Sequence, residues 1–346
     1  MKNLVLVLTN SCDIVADKVI QLMRDRGGSV ARFDPADMPL RSTLTMQLGA
    51  KTVPPYLFRD YGPGIELDQV KSVWYRRPST FILPRYSTEH AARFAASELA
   101  MALGGALRSL YCFWMNSPGA IVEAGYKVDQ LVRADKVGLL VPDTCVTSQP
   151  AHARRFVREH NGKVIIKVMG DPDIYAPGEG PAVIGNIYTS RLRVDEPVPY
   201  ERVQDAPVLL QEEIPKQADI RIIVIGDIVH AVAIDSQQDE QTVVDWRRGG
   251  PGLAHEVIDL PEQLRSQLLS LTGSYHLSFA AIDMVLDTSG QYIFLEINPS
   301  GEWGWLERVT DLDISSSVAT ILMSGGPSAT PDHEPVSQAS GARLPL

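Results

Sequence analysis

The chain has 346 residues, 45% of them apolar and 21% charged, with a net charge of −10 at pH 7, so two or three domains with ample core are expected. The negative balance argues against a nucleic-acid binder. No apolar run reaches the roughly 18 residues of a membrane span, and Met1-Lys2-Asn3 before a short apolar strand is no signal peptide, which predicts a cytoplasmic protein with no membrane partner. Cys12, Cys112 and Cys145 are far apart and lack CxxC spacing, which predicts reduced, mostly buried thiols. The seven histidines show no ligand spacing, which argues against zinc.

Residues 4–8 form a continuous apolar strand of the kind buried in a parallel sheet. Residues 13–26 follow with helical spacing at Val15, Val19, Leu22 and Met23, stop at Gly27-Gly28, and lead into a strand over 30–33. This βαβ unit lacks the glycine fingerprint of a dinucleotide site, which speaks against a Rossmann-type oxidoreductase. Another strand ends at Trp74-Tyr75-Arg76-Arg77-Pro78. Its two arginines either present guanidinium groups at a sheet's C-terminal edge or form a surface pair. Residues 87–110 read as a long helix whose alanines (Ala91, Ala95, Ala96, Ala100, Ala102) predict close helix packing.

Asn116-Ser117-Pro118 opens a second segment, and residues 126–140 read as a helix ended by Pro142. Lys127 sits at its start, where a cation opposes the helix dipole; it is either solvated or held by another anion. Lys167 interrupts the apolar strand 164–168, as an edge guard or as a point charge aimed at a ligand. The stretch 169–190, with Gly170, Gly178, Gly180 and Gly185, favours the ligand, since a glycine-rich loop lets backbone N–H groups approach phosphate oxygens. A strand over 208–215 turns polar at its end. Residues 219–225 and 228–234 form a hairpin about Gly226-Asp227, with Arg221 in its first strand. Asp245-Trp246-Arg247-Arg248 adds two more arginines, and residues 261–271 form a helix.

The most informative stretch closes the chain. Strands over 280–286 and 292–297 are apolar except for Asp283 and Glu296, and Asn298 follows on the face of Glu296. Such oxygen donors suit a hard cation such as Mg²⁺. A turn loop of two or four residues places Asp283 opposite Phe294 and on the same face as Glu296 and Asn298, whereas a three-residue loop turns it away. The competing reading is an amphipathic hairpin with its polar face in water. Residues 326–346 cannot bury a core and read as a disordered tail.

In this order, Lys127, Lys167 with its glycine lid, the Gln211–Ile214 strand end, Arg221, Arg247, Asp283 and Glu296-x-Asn298 resemble the ATP-grasp superfamily. The resemblance implies an α/β and α+β ATP-grasp fold. It has a Rossmann-like pre-ATP-grasp domain over 1–115, a central subdomain over 116–207, and a C-terminal subdomain over 208–325. By the same resemblance Lys127 and Lys167 contact ATP phosphates, Glu212, Glu213 and Ile214 hold adenine, and Asp219 takes the ribose hydroxyls. Asp283, Glu296 and Asn298 hold Mg²⁺, as a pair of ions. Arg221 and Arg247 grip the phosphate and the acyl phosphate.

Trp74-Tyr75-Arg76-Arg77-Pro78, Tyr126-Lys127-x-x-Gln130-Leu131, Asp219-Ile220-Arg221, Asp245-Trp246-Arg247 and Glu296-Ile297-Asn298-Pro299-Ser300-Gly301-Glu302-Trp303 are similar to the graspetide synthetases, the actinobacterial branch above all. That family joins Asp or Glu side chains of a ribosomally made precursor peptide to its Ser, Thr or Lys side chains. The resemblance implies a partner with a leader and an acidic core, and a homodimer. An acidic enzyme acting on an acidic peptide needs local positive charge, for which Arg76, Arg77, Arg191 and Arg193 are the candidates. Two alternatives are a ligase that adds free amino acids to a protein tail or small peptide, as in glutamate ligases and glutathione synthetase, and a non-catalytic ATP-binding regulator.

Overall fold

The structure, a computed structural model, describes residues 2–170, 173–175, 183–192, 198–249 and 252–327. Arg193, Gly178, Gly180 and tail residues 328–346 lie outside the described residues. The N-terminal lobe runs through β1 (Leu4–Thr9), α1 (Ile14–Asp25), β2 (Ser29–Phe33), β3 (Ser42–Gln47), β4 (Val53–Arg59), β5 (Ile65–Glu66), β6 (Val70–Arg77), α2 (Glu89–Arg108) and β7 (Phe113–Met115). A parallel sheet of order β2-β1-β6-β7 is its main layer. The apolar run of β1 buries both faces, as a parallel sheet requires: Val5 and Val7 join one core cluster, and Leu6 and Leu8 join another. The β3-β4-β5 sheet, which sequence patterning did not reveal, packs beside it. The expected close packing of α2 is not found among the described residues, and its alanine face stays largely open. Only Leu103, Ala106 and Leu107 are buried, while Phe94 and Met101 face solvent.

Next come α3 (Pro118–Ala124), α4 (Lys127–Lys136), β8 (Thr144–Thr147), α5 (Pro150–Glu159), β9 (Val164–Lys167), β10 (Asp173–Tyr175), β11 (Val183–Asn186), β12 (Ser190–Arg191) and β13 (Val208–Glu212). The central sheet has the order β12-β9-β13-β8. This corrects the expected central subdomain at both ends. β13 lies inside its sheet rather than opening the next subdomain. α3 and α4 pack through Ala120, Ala124, Leu131 and Ala134 against Ile220, Ile222 and Phe294 of the following sheet.

That last sheet is antiparallel, with order β16-β15-β14-β17-β18, and comprises β14 (Lys216–Ile225), β15 (Ile228–Ile234), β16 (His255–Ile258), β17 (Phe279–Asp287) and β18 (Tyr292–Asn298), with α6 (Glu262–Ser274) packed against it. The expected β14–β15 hairpin forms about Gly226, whose φ of 59° suits glycine. After the short α7 (Leu306–Val309), α8 (Ile314–Ser324) returns to the N-terminal lobe and packs on α1. Ser72 and Lys71 donate hydrogen bonds to the carbonyls of Leu322 and Met323. The C-terminal helix thus belongs to the core of the first lobe.

The β17–β18 turn differs from expectation. Asp287 accepts hydrogen bonds from the N–H groups of Ser289 and Gln291, closing a three-residue loop with Gly290 at φ 84°. Met284, not Asp283, therefore faces Phe294. A register shift beyond that pair leaves Leu295 as an extra residue, and Asp283 pairs with Glu296. The bulge undoes what the loop length would impose.

Candidate active site

β18 is a sheet edge, and its free side is covered by α4 and the segment after it. The Phe294 N–H donates to the Leu140 carbonyl at 2.8 Å. Gln130 stands in for a neighbouring strand: its Nε2 donates to the Ile297 carbonyl at 2.9 Å and its Oε1 accepts from the Ile297 N–H at 3.1 Å. Lys127, three residues earlier and therefore on the same helix face, is ion-paired with Glu296. Asn116, at φ 55°, bonds through its amide to Ser278, Phe279 and Pro299, tying the start of β17 to the loop after β18. Sequence reasoning missed the roles of Gln130 and Asn116; a buried amide facing a strand edge has no periodic signature.

Around Glu296 the expected cations converge. Lys127, Lys167 and Arg247 line one cleft with it, between the central and C-terminal sheets. Burial pushes the Glu296 carboxyl up, but Lys127, Lys167 and Arg247 outweigh it and hold the pKa well below the carboxylate range. Burial lowers the pKa of Lys167, against the pull of Glu296. Lys167 is thus no edge guard, since β9 lies between β12 and β13 and the side chain lines the cleft, and Lys127 is held by the Glu296 carboxylate rather than solvated. Arg247 is aimed by Asp245, which accepts from its Nε at 2.8 Å and from its Nη2 at 2.6 Å. That fork is the main reason the Arg247 pKa is raised.

Asp283 and Glu296 are partners across the ladder, and Asn298 lies two residues on, opposite Ala281. Asn298 is exposed at the rim, and its Oδ1 accepts from the Ser300 N–H at 2.9 Å. Two carboxylates and an amide oxygen on one face fit a hard divalent cation. Arg221, the ladder partner of Asp283, donates to it at 2.8 Å and to the Glu302 carbonyl at 3.0 Å. Its buried Nε has no partner among the described residues. Gly301 permits this approach, since a Cβ there would lie 2.3 Å from Ala281 Cβ and 3.0 Å from Arg221 Nη2.

At the far end of the cleft, Ile165, Val244 and Leu295 continue into an apolar slot with Val243, Val285 and Ile214. The buried Gln211 faces this slot, as the partner of Ile165 in the sheet, and was not foreseen in that role. One cleft thus holds a slot with mainly apolar walls at one end and three cations with two carboxylates at the other. A cavity of ≈1080 Å³, far larger than this cleft, lies instead in the N-terminal lobe beside Arg59 and Tyr61, so size does not locate the chemistry.

Residues 4–121 match the family model described as the MvdD pre-ATP grasp domain, and residues 201–322 that of the RimK-like ATP-grasp domain. Along its length the chain is similar to a Chryseobacterium gregarium RiPP-associated ATP-grasp ligase, solved in complex with ADP and a leader and core peptide. The TM-score is 0.84 at 30% identity, covering 94% of this chain and 98% of that one. The chain belongs to the RiPP-associated ATP-grasp ligases. The ligase is also similar to the macrocyclase MdnB from Microcystis aeruginosa, with a TM-score of 0.74 at 32% identity, covering 92% of this chain and 99% of that one. A Histophilus somni protein named probable alpha-L-glutamate ligase is 24% identical over 237 residues, 68% of this chain and 73% of that protein.

Several residues of the ligase sit differently from expectation. Arg76 is not placed to meet a peptide: its side chain is 1% exposed, donates to the Ser300 carbonyl at 2.7 Å, pairs with Glu302 and lies over Trp303. The switch point of the parallel sheet is filled by the chain's own loop, which turns Arg76 into a bracket between lobes. Arg77 stays half exposed, 2.8 Å from Glu302. Arg191 is paired with Glu213 at 2.5 Å and stays half exposed. Asp219 lines the cleft but is buried against Lys216 and the Ser236 hydroxyl. The side chain of Glu212 lies near Asp143 and His160, at metal-ligand distances that sequence spacing did not suggest. The three cysteines are free, but none is buried. No described helix is long and apolar enough to cross a membrane.

Proposed function

We propose that this ATP-dependent ligase activates Asp or Glu side-chain carboxylates of a ribosomally made precursor peptide as acyl phosphates. It then couples them to Ser or Thr hydroxyls, or to Lys amines, to close rings. The observation that carries this is the convergence of Lys127, Lys167 and Arg247 on the Asp283–Glu296 pair at one end of a cleft whose other end is apolar. The slot formed by Ile165, Val243 and Leu295 takes the adenine, with the Glu213–Ile214 backbone at its edge. Lys127 and Lys167 then face the phosphates. Asp283, Glu296 and Asn298 would hold Mg²⁺, which would supply charge neutralisation for the transferred phosphoryl group.

The substrate carboxylate attacks the γ-phosphorus, and ADP leaves. Arg247, held by Asp245, is placed for the oxygens of the transferring group. Arg221, with its free Nε, is placed for the acyl phosphate. The peptide's hydroxyl or amine then displaces phosphate, aided by its position on the same chain. Support comes from the full-length likeness to a ligase solved with ADP and a leader and core peptide. The relatives named glutamate ligases favour a second reading, addition of free amino acids.

Co-expression with an acidic Ser/Thr-rich precursor, read by mass spectrometry, separates the two readings. Loss of one water per crosslink is the expected result. ADP release that requires free glutamate, with mass gain on the acceptor, would overturn the proposal. Arg247→Ala should lose roughly 10²–10³-fold in rate.

A further inference from the structure

A second cavity, ≈530 Å³, lies between the start of α1 and the loop after β18, lined by Ile14, Lys18, Arg77, Glu302, Trp305 and Arg308. It touches the active site at two points. The Glu302 carbonyl accepts the hydrogen bond from Arg221 Nη2, so this wall is one residue away from the arginine that holds Asp283. Trp305, another wall, packs tilted against Trp246 with centroids 4.9 Å apart, and Trp246 lines the nucleotide cleft beside Arg247.

Charges around the cavity are sorted by exposure. The carboxylates of Asp13 and Glu307 are 3% and 4% exposed, engaged by Thr9 and by Ser315 with Lys18. The cationic side chains reach further into solvent: Lys18, paired with Glu307 at 3.0 Å, is 51% exposed, Arg77, paired with the 35% exposed Glu302 at 2.8 Å, is 49% exposed, and Arg308 is exposed with no ion pair among the described residues. On a chain of net charge −10, the cavity thus sets three cations, the most exposed of its charges, against three carboxylates, and leaves Arg308 unpaired among the described residues near an aromatic wall.

We propose that this cavity is the subsite for the acidic segment of the peptide substrate. Arg77 and Arg308 take carboxylates, and Trp305 packs the intervening chain, so that one carboxylate is delivered past Glu302 toward Arg221. This rests on the peptide-ligase reading and names where its substrate enters. It moves peptide recognition away from the buried Arg76, onto a face that both lobes build.

The probe is a fluorescein-labelled peptide of alternating Glu and Thr residues, with a Gln/Thr peptide as control, read by anisotropy at low ionic strength. The Glu/Thr peptide should bind the wild-type protein, and Arg77→Gln and Arg308→Gln should each weaken it roughly tenfold. The affinity for an ATP analogue should not change. Absence of binding to wild type, or equal binding of the Gln/Thr peptide, overturns the subsite. So does an unchanged affinity in the Arg77→Gln/Arg308→Gln double variant. ADP release followed with the same peptide separates the two layers. Charge-dependent binding without ADP release upholds the cavity and sinks the peptide-ligase reading. Peptide-stimulated ADP release with unchanged peptide KM in the double variant does the reverse.

Discussion

Asp283 stands opposite Glu296 because Leu295 is an extra residue in β18. In an unbroken ladder from the same loop, Glu296 and Asn298 would share the face of Phe294, which is fully buried in the core beneath the sheet. The bulge places both on the cleft side and sends Ile297 into the core in their stead.

The paired carboxylates should act as a unit. Asp283→Asn and Glu296→Gln should each lower ATP-dependent ADP release by roughly 10²–10³-fold, and the double variant by little more than either. Single-turnover phosphate release measures this. Independent, multiplying losses would show that the two carboxylates serve separate steps.

Gln130 holds both backbone groups of Ile297. Gln130→Leu should cost about 1–3 kcal/mol, the penalty for leaving buried polar groups unmade. Urea unfolding measures it. Glutamate should not rescue, since a carboxylate cannot donate to the Ile297 carbonyl.

Gly301→Ala should lower turnover with little change in nucleotide affinity. The added Cβ meets Ala281 at 2.3 Å and presses the loop off Arg221. Turnover at saturating ATP compared with nucleotide binding by calorimetry provides the check. An equal loss in both would place Gly301 in nucleotide binding.

Arg76→Ala should destabilise by about 3–5 kcal/mol, because it strips a buried guanidinium from Glu302, Ser300 and Asp13. Lysine should recover little, since a single ammonium cannot span those acceptors. Thermal unfolding of the three proteins tests this. An unshifted midpoint in Arg76→Ala would remove the bracket from the argument.

His160 gives a pH-dependent contact. Its bond to the Phe156 carbonyl, then its contact with Asp143, raise its pKa above the ordinary 6.5. A group raised on folding contributes stability that is fully present below its unfolded value and is lost as pH rises through the folded one. Stability should therefore fall from pH 6.5 upward in the wild type, and His160→Gln should remove that component of the slope.

The sequence by itself determined the parts of this protein that depend on local pattern. The apolar run of β1 announced a two-sided buried strand, Gly226 a tight turn, and a lysine in β9 a charge aimed at something. The joint presence of Asp283, Glu296 and Asn298 near the chain's end announced a cluster of oxygen donors of the kind that suits a hard cation. Tertiary structure alone decided the register that brings two of those oxygens together, since a bulge at Leu295 leaves no signature in the residue order. It also decided the fate of the arginines. Arg76, Arg77 and Arg191 look alike in sequence, but their carboxylate partners, Glu302 and Glu213, lie 226, 225 and 22 positions away along the chain. A guanidinium's role is set by which carboxylate it reaches and how much water remains around it, and both are properties of the folded packing.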